Sequence, residues 1–200
     1  GLVTTESGGT ADFTVVLSSQ PVAEVTIGLL SSHVDEGTVS PAALVFTPTN
    51  WNTPQTVTVR GVDDDVDDGD ASYTILAAVV SSDPQYHART IPGVVVTNRD
   101  DDTAAAIVTA GSNLTTTEAG GTAAFYMVLA TRPRAEVTID LASSCTAEGT
   151  VAPSRLVFTP ADWNIAQTVT VTGVDDRVAD GDQAYAIITA PIASSDPSYQ

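Results

Sequence analysis

An internal repeat, with an offset of 112 residues, constrains the fold more than any other feature of the sequence. Residues 4–11 read Thr-Thr-Glu-Ser-Gly-Gly-Thr-Ala, and residues 116–123 repeat them with one change. Between 4–76 and 116–188, 46 of 73 aligned positions are identical. Each copy is roughly 100 residues long, which is an ordinary domain size. We therefore predict two domains of one kind, at 1–102 and 103–200.

The two copies are not complete at the same ends. The first copy closes with an apolar segment at 93–97 and three Asp residues, and the chain ends before the equivalent of this segment in the second copy. Residues 104–109 open the second copy and have no counterpart in the first. We expect the first domain to lack part of its first strand and the second its last strand, in a natural protein that continues in both directions.

The apolar residues recur at every second position, which is the period of a half-buried β-strand. Val25, Ile27 and Leu29 alternate with smaller or polar residues, and clusters of Gly, Pro, Ser and Asn separate such segments. The first copy contains seven segments of this kind, near 2–5, 10–18, 24–30, 43–47, 55–62, 72–80 and 93–98. Short strands at regular spacing predict an all-β fold: two tandem seven-stranded antiparallel β-sandwiches, Ig-like with Greek-key connections.

The overall charge excludes several classes of partner. With 25 acidic residues, seven Arg and no Lys, the net charge is −18. A surface this acidic argues against nucleic acids and anionic membranes as partners. The chain also lacks the run of about 18 apolar residues that membrane insertion as a helix requires.

The acidic residues are concentrated in loops. Thirteen of the 19 Asp residues fall in three clusters, at 63–70, 100–102 and 175–182. Carboxylates crowded in one loop repel each other, and Ca²⁺ relieves the repulsion by taking about six to eight oxygen ligands. Comparison of the two copies narrows the set of candidate calcium ligands, because Asp65 is replaced by Arg177 and Asp67 by Ala179. We interpret Asp65 as a solvated acid, and Val66 and Val178 as anchors for the Asp-rich loops of the two copies.

Three motifs in a fixed order resemble the Calx-β (Calx-beta) domain, which occurs in sodium/calcium exchangers and in tandem in large bacterial surface proteins. They are the opening Thr-Thr-Glu with Gly-Gly, the Val-Asp-Asp-x-Val-x-Asp-Gly-Asp loop, and a terminal Val-Val-Val-Thr-Asn-x-Asp-Asp-Asp. The resemblance covers nearly the whole chain. It implies a seven-stranded sandwich with calcium ions at one tip.

The resemblance also implies a set of calcium ligands. In the first copy these are Glu6, Asp63, Asp64, Asp68, Asp100, Asp101 and Asp102. The set also includes one acid of the middle loop. The alignment does not decide between Asp35 and Glu36 for this position, and we predict Glu36. In the second copy the ligands are Glu118, Asp175, Asp176, Asp180 and, by a looser alignment, Glu148. Asp70 and Asp182 also match the pattern, and the alternative for both is an outward-facing position.

The sequence departs from the family pattern after Gly-Asp, where Ala71 and Gln183 stand in place of a frequent Glu. Fewer ligands imply fewer ions or weaker binding. We expect the lower calcium affinity in the second copy, which has the weaker Asp loop and no terminal Asp run in this sequence.

These observations favour a calcium-binding structural repeat of a secreted or cell-surface bacterial protein, forming a calcium-stiffened rod that projects adhesive or other domains. Its expected partners are calcium ions and neighbouring repeats of the chain. One alternative is a carbohydrate- or protein-binding module that recognises a surface ligand through variable loops. Others are a repeat that assembles with other copies into a filament, and a calcium sensor. We expect no enzymatic activity, and we expect Trp51 and Trp163 to be packed corner residues.

Overall fold

The protein folds into two compact units. The structure, a computed structural model, describes residues 1–111, 114–179 and 181–200. The first unit comprises Gly1–Asp64 and Asp68–Asp101, and the second comprises Asp65–Asp67 and Asp102–Gln200. Each unit has its own hydrophobic core.

The first unit is a sandwich of two β-sheets. Its strands are β1 (Leu2–Thr5), β2 (Thr10–Val15), β3 (Val25–Ser31), β4 (Gly37–Ser40), β5 (Ala43–Phe46), β6 (Gln55–Gly61), β7 (Ala71–Ser81) and β8 (Val94–Arg99). One sheet has the order β1-β8-β7-β3-β5 and the other the order β2-β6-β4. All pairs are antiparallel except β1 and β8, which run parallel.

The alternation in the sequence builds the core of this sandwich. Val25 and Ile27 of β3, and Val57 and Val59 of β6, point to the same interior from opposite sheets and are at most 1% exposed. Burial of each such side chain contributes about 1.5–3 kcal/mol. The Trp51 side chain packs against this core, as expected for a corner residue.

The second unit repeats much of this architecture. Its strands are β9 (Ala106–Ala110), β10 (Thr122–Leu129), β11 (Val137–Ser143), β12 (Gly149–Ala152), β13 (Arg155–Phe158), β14 (Gln167–Gly173), β15 (Ile187–Thr189) and β16 (Ala193–Ser194), followed by a 3-10 helix at Pro197–Tyr199. One sheet has the order β12-β14-β10-β9, and the other the order β13-β11-β15 with β16 also on β11. Trp163 packs against the core of this unit.

The predicted all-β sandwich is confirmed, with two differences of detail in the first unit. A short strand that the sequence did not indicate, β4, pairs with β6. The β1 strand pairs in parallel with β8, whereas the sequence favoured antiparallel pairing throughout. Alternation shows that a segment is a strand but carries no information about the direction of its partner. In the described part of the chain, no helix has the length and apolar character needed to cross a membrane.

Candidate metal centre

Glu6 directly follows the β1 strand, beside the end of β8. Its backbone N–H donates a hydrogen bond of 3.0 Å to the carbonyl of Arg99, the last residue of β8. Because β1 and β8 run parallel, both strands end on the same side of the sheet, with Thr5 opposite Arg99. The opening Glu and the terminal Asp run are therefore neighbours in space, although 94 positions separate Glu6 from Asp100 in the sequence.

The Glu6 carboxylate is buried without full hydrogen bonding. The residue is 3% exposed, and its Oε2 atom has no hydrogen-bond partner among the described residues. Burial is the main cause that raises the pKa of the Glu6 carboxyl from 4.5 to about 8. The remaining causes are nearby negative charges, in decreasing order those of Asp100, Asp64, Glu36 and Asp68. All four acids were predicted as calcium ligands.

Asp100 connects the end of β8 to the Asp-rich loop. Its Oδ2 atom accepts hydrogen bonds from the N–H groups of Asp68, at 3.0 Å, and Gly69, at 2.6 Å. Its own N–H donates to the Asp70 carboxylate at 3.3 Å. Gly69 has φ +77°, a left-handed conformation that favours glycine. Asp70 is exposed as a residue, although its carboxylate accepts the hydrogen bond from the Asp100 N–H.

The structure brings part of the terminal Asp run together with Glu6. Carboxylate oxygens of Glu6 and Asp100 lie within 4.8 Å of each other. Asp100 is half-buried, whereas Asp101 is exposed. Asp102 is half-buried and belongs to the second unit.

In the middle loop, the two candidate acids differ in environment. Asp35 is exposed, whereas Glu36 is half-buried next to β4 and its charge acts on Glu6. The Nδ2 group of Asn98 reaches Glu36 Oε2 at 3.5 Å and donates to the Val62 carbonyl at 3.1 Å. Asn98 is 1% exposed and also accepts a 3.0 Å hydrogen bond from the Thr4 hydroxyl. We did not single out Asn98 from the sequence, although it lies two residues before the Asp run.

The predicted ligands of the Asp-rich loop differ in their exposure. Asp64 is half-buried and faces Glu6, whereas Asp63 and Asp68 are exposed. Asp63 and Glu6 both line a cavity of about 330 Å³.

Residues 65–67 of the same loop are engaged within the second unit. The Asp65 carbonyl accepts a 2.6 Å hydrogen bond from the Arg132 N–H, and the Asp67 carboxylate accepts one of 2.7 Å from the Ala104 N–H. Val66 is 7% exposed, as expected of an anchor, whereas its counterpart Val178 is 62% exposed, so the anchor prediction is wrong in the second unit.

The predicted ligands of the second unit are more scattered. Glu118, Asp175 and Asp182 are exposed, and Glu148 and Asp176 are half-buried. The Asp176 carboxylate accepts a 2.7 Å hydrogen bond from the Val178 N–H. Asp180 lies outside the described residues. Among the described residues of this unit alone, no three ligand-type side chains come together.

The donor set of the first unit suits a hard cation. It consists of carboxylate oxygens, and one of them is buried without a hydrogen-bond donor. Hard divalent cations prefer such oxygen ligands, whereas zinc and softer metals favour the nitrogen and sulfur of His and Cys.

The chain was compared with known families, curated proteins and solved structures. No family model and no curated protein matches it. Similar solved structures include CBD12 from CALX1.2, at 16% identity and TM-score 0.39 over 100% of this chain and 80% of that one. The calcium binding domain CBD12 of CALX1.1 has 18% identity and TM-score 0.38 over 96% and 77%. SSP-19, an MSP-domain protein like family member in Caenorhabditis elegans, has 10% identity and TM-score 0.35 over 49% and 91%. At these identities and scores, the likenesses carry no functional argument.

Proposed function

We propose that this chain is a calcium-binding structural repeat and that the first unit binds the ion at Glu6. The observation that carries the proposal is the buried Oε2 atom of Glu6, which has no hydrogen-bond partner among the described residues. A buried carboxylate without a compensating partner is costly, and four further acids raise the cost by repulsion. Such an arrangement is relieved by a proton or by a cation.

A divalent cation relieves the repulsion at neutral pH without protonating the acids. Glu6 and Asp100 would hold it, and Asp64 and Glu36 are close enough for their charges to act on Glu6. Ca²⁺ accepts oxygen ligands in flexible numbers and geometries, whereas Mg²⁺ demands a near-ideal octahedron. Carboxylates drawn from several loops match the Ca²⁺ preference.

Calcium bound at this site would act on stability. A ligand that binds only the folded state contributes about 2.7 kcal/mol when its free concentration is 100 times Kd. That is a large fraction of a net stability of about 5–15 kcal/mol. The similarity of the two copies, with 46 of 73 aligned positions identical, supports a spacer, because a spacer needs many repeats rather than diverse ones. We assign the repeat to a secreted or cell-surface bacterial protein, where calcium sites as weak as about 10⁻⁴–10⁻³ M are used.

The Glu6→Gln variant tests the proposal, because it keeps the shape of the side chain and removes its charge. Thermal unfolding is measured in EGTA, in millimolar calcium and in millimolar magnesium, with calorimetry for binding. We expect calcium, but not magnesium, to raise the melting temperature of the original chain. We expect Glu6→Gln to melt higher than the original in EGTA and to lose the calcium shift.

The matched control is Glu24→Gln, which removes one charge at an exposed position outside the acidic cluster. This variant should keep the full calcium shift. An unchanged calcium shift in Glu6→Gln, or no calcium binding by the original chain at millimolar concentration, would overturn the proposed site.

A further inference from the structure

The five-stranded sheet of the first unit has an apolar outer face. Side chains alternate between the two sides of a strand, so the residues between the buried ones form this face. Its large apolar side chains are between 42% and 68% exposed, and they belong to Val3, Leu30, Val45, Leu76, Val80 and Val95. The five strands, all within the described residues, contain no acid, and Arg99 at the end of β8 is their one charged residue.

The register of the strands joins these apolar residues into one patch. Leu30 of β3 lies directly opposite Leu76 of β7. Thr26 of β3 has Val45 of β5 on one side and Val80 of β7 on the other. Side chains directly opposite each other have Cβ atoms about 4.5–5.5 Å apart, which is close enough for contact. The apolar outer face is therefore continuous across the three strands β5, β3 and β7.

The size of the apolar outer face is that of a weak interface. Five strands about 4.8 Å apart, with outward residues over roughly 20 Å of strand length, give a face on the order of 500 Å². The largest apolar patch on a typical monomer covers about 300–600 Å² and is often functional. A stable complex buries about 800 Å² on each partner, so this face by itself supports a weak and reversible contact.

The corresponding sheet of the second unit carries an ion pair on its outer side. At the repeat offset of 112, Asp140 and Arg155 correspond to Gly28 and Ala43, and each pair lies directly opposite across its two strands. The Arg155 guanidinium donates two hydrogen bonds to the Asp140 carboxylate, at 2.6 and 3.1 Å. Burial of such a pair in an interface carries a desolvation penalty, which the uncharged face of the first unit avoids.

We propose that the apolar outer face of the first unit binds the same face of a second copy of this chain. Two copies with a net charge of −18 each repel one another wherever their acids approach, and this face lets them meet through strands without acids. A basic partner finds no acid in these strands to pair with, so the matching surface is itself apolar and uncharged. Contact between identical faces is the isologous arrangement of two-fold dimers.

Analytical ultracentrifugation of the 200-residue chain in EGTA tests the proposal. Because calcium is absent, a failure of the proposed calcium site does not affect the result. We expect the average mass to rise from that of one chain toward that of two as the concentration increases from about 10 μM to about 1 mM. Added salt should strengthen the association, because it screens the repulsion between the acidic copies. A single-chain mass at every concentration and salt level would overturn the proposal.

The double variant Gly28→Asp with Ala43→Arg introduces the ion pair of the second unit into this face and leaves the net charge unchanged. A Cβ at position 28 would lie 3.9 Å from the Ala78 carbonyl oxygen, an ordinary contact. We expect the dimer dissociation constant to rise by about tenfold or more. The matched control, Thr14→Asp with Thr56→Arg, places the same pair at opposed exposed positions of the other sheet and should change the constant by less than about twofold.

A second pair of variants tests the apolar contact without introducing charge. Leu30→Ser with Leu76→Ser removes apolar area from the face and should also raise the dissociation constant by about tenfold. Its control, Val22→Ser with Ile165→Ser, changes residues that are 81% and 60% exposed and lie outside this sheet, and it should have no effect. Association that both face variants leave intact, or that the controls weaken equally, would place the contact on another surface and overturn the proposal.

Discussion

At the residue scale, Glu6 links the fold to the proposed chemistry. Its backbone N–H donates a hydrogen bond to the carbonyl of Arg99 at the end of β8, and its carboxylate is buried near other acids. Burial and repulsion act in the same direction, and both favour the protonated carboxyl over the charged one. The charge of Glu6 therefore makes the stability of the first unit depend both on pH and on calcium, and the two dependences can be measured separately.

Without calcium, we expect the stability of the first unit to fall as pH rises from about 5 to 9. The Glu6 pKa is about 8 in the folded chain against 4.5 ordinarily, so the folded state holds a proton that the unfolded state has released. Stability then decreases with pH across that window and levels off above it. The measurement is the melting temperature against pH in calcium-free buffer. Glu6→Gln should lack this component of the decline, and parallel profiles for the two proteins would contradict the prediction.

The middle loop provides a paired comparison between adjacent acids. We expect Glu36→Gln to weaken calcium binding by about tenfold, because a ligand or its close support is lost. Asp35→Asn should change the affinity by less than about twofold, because an exposed carboxylate contributes little. Calorimetric titration of both variants checks this. An equal loss in both would indicate that only the overall charge of the loop matters.

The sequence could not choose between Asp35 and Glu36, because loop alignment does not show which side chain faces inward. That orientation depends on β4, which begins at Gly37 directly after Glu36. A four-residue strand with one large apolar residue, Val39, gives too few positions for alternation to be detected. Asn98 was missed for a related reason: its contacts with Thr4 and Glu36 form only when distant strands pair.

At the scale of elements, Asp100 holds the Asp-rich loop against the end of β8. We compare Asp100→Asn with Asp100→Ala, because both remove the negative charge and only Asn keeps a side-chain acceptor for the N–H groups of Asp68 and Gly69. In the presence of a calcium chelator, Asp100→Ala should have a free energy of unfolding about 1 kcal/mol lower than that of Asp100→Asn, because Ala offers no acceptor to these N–H groups. Both variants should bind calcium more weakly than the original chain.

Denaturant unfolding and calorimetric titration check the Asp100 pair. Equal stability of the Asn and Ala variants would show that the loop does not depend on this acceptor. Unchanged calcium binding in both variants would remove Asp100 from the site.

The strands themselves were largely predictable. The periodic segments near 24–30 and 55–62 correspond closely to β3 and β6, because each alternates strictly over seven residues. The alternation of apolar residues could not predict that β1 and β8 pair in parallel. This pairing is what places Glu6 beside Asp100. The resemblance to a family suggested that these acids meet, and the pairing supplies the physical reason.

At the scale of the whole molecule, the two copies differ more in structure than in sequence. β7 has 11 residues and pairs with β8, whereas its counterpart in the second unit is reduced to β15, with three residues, and β16, with two. Glu118 is also exposed, whereas its counterpart Glu6 is 3% exposed. In the first unit the strand β8 both completes the sheet and carries Asp100. The calcium site and the completed sheet should therefore depend on the same strand.

This dependence predicts different behaviour of the two opening Glu residues. Glu6→Gln should abolish most of the calcium-induced rise in melting temperature, because its carboxylate is buried near other acids. Glu118→Gln should leave that rise intact, because Glu118 is exposed. Thermal unfolding of both variants in calcium and in EGTA measures the difference. An equal loss of the calcium shift in the two variants would contradict the prediction.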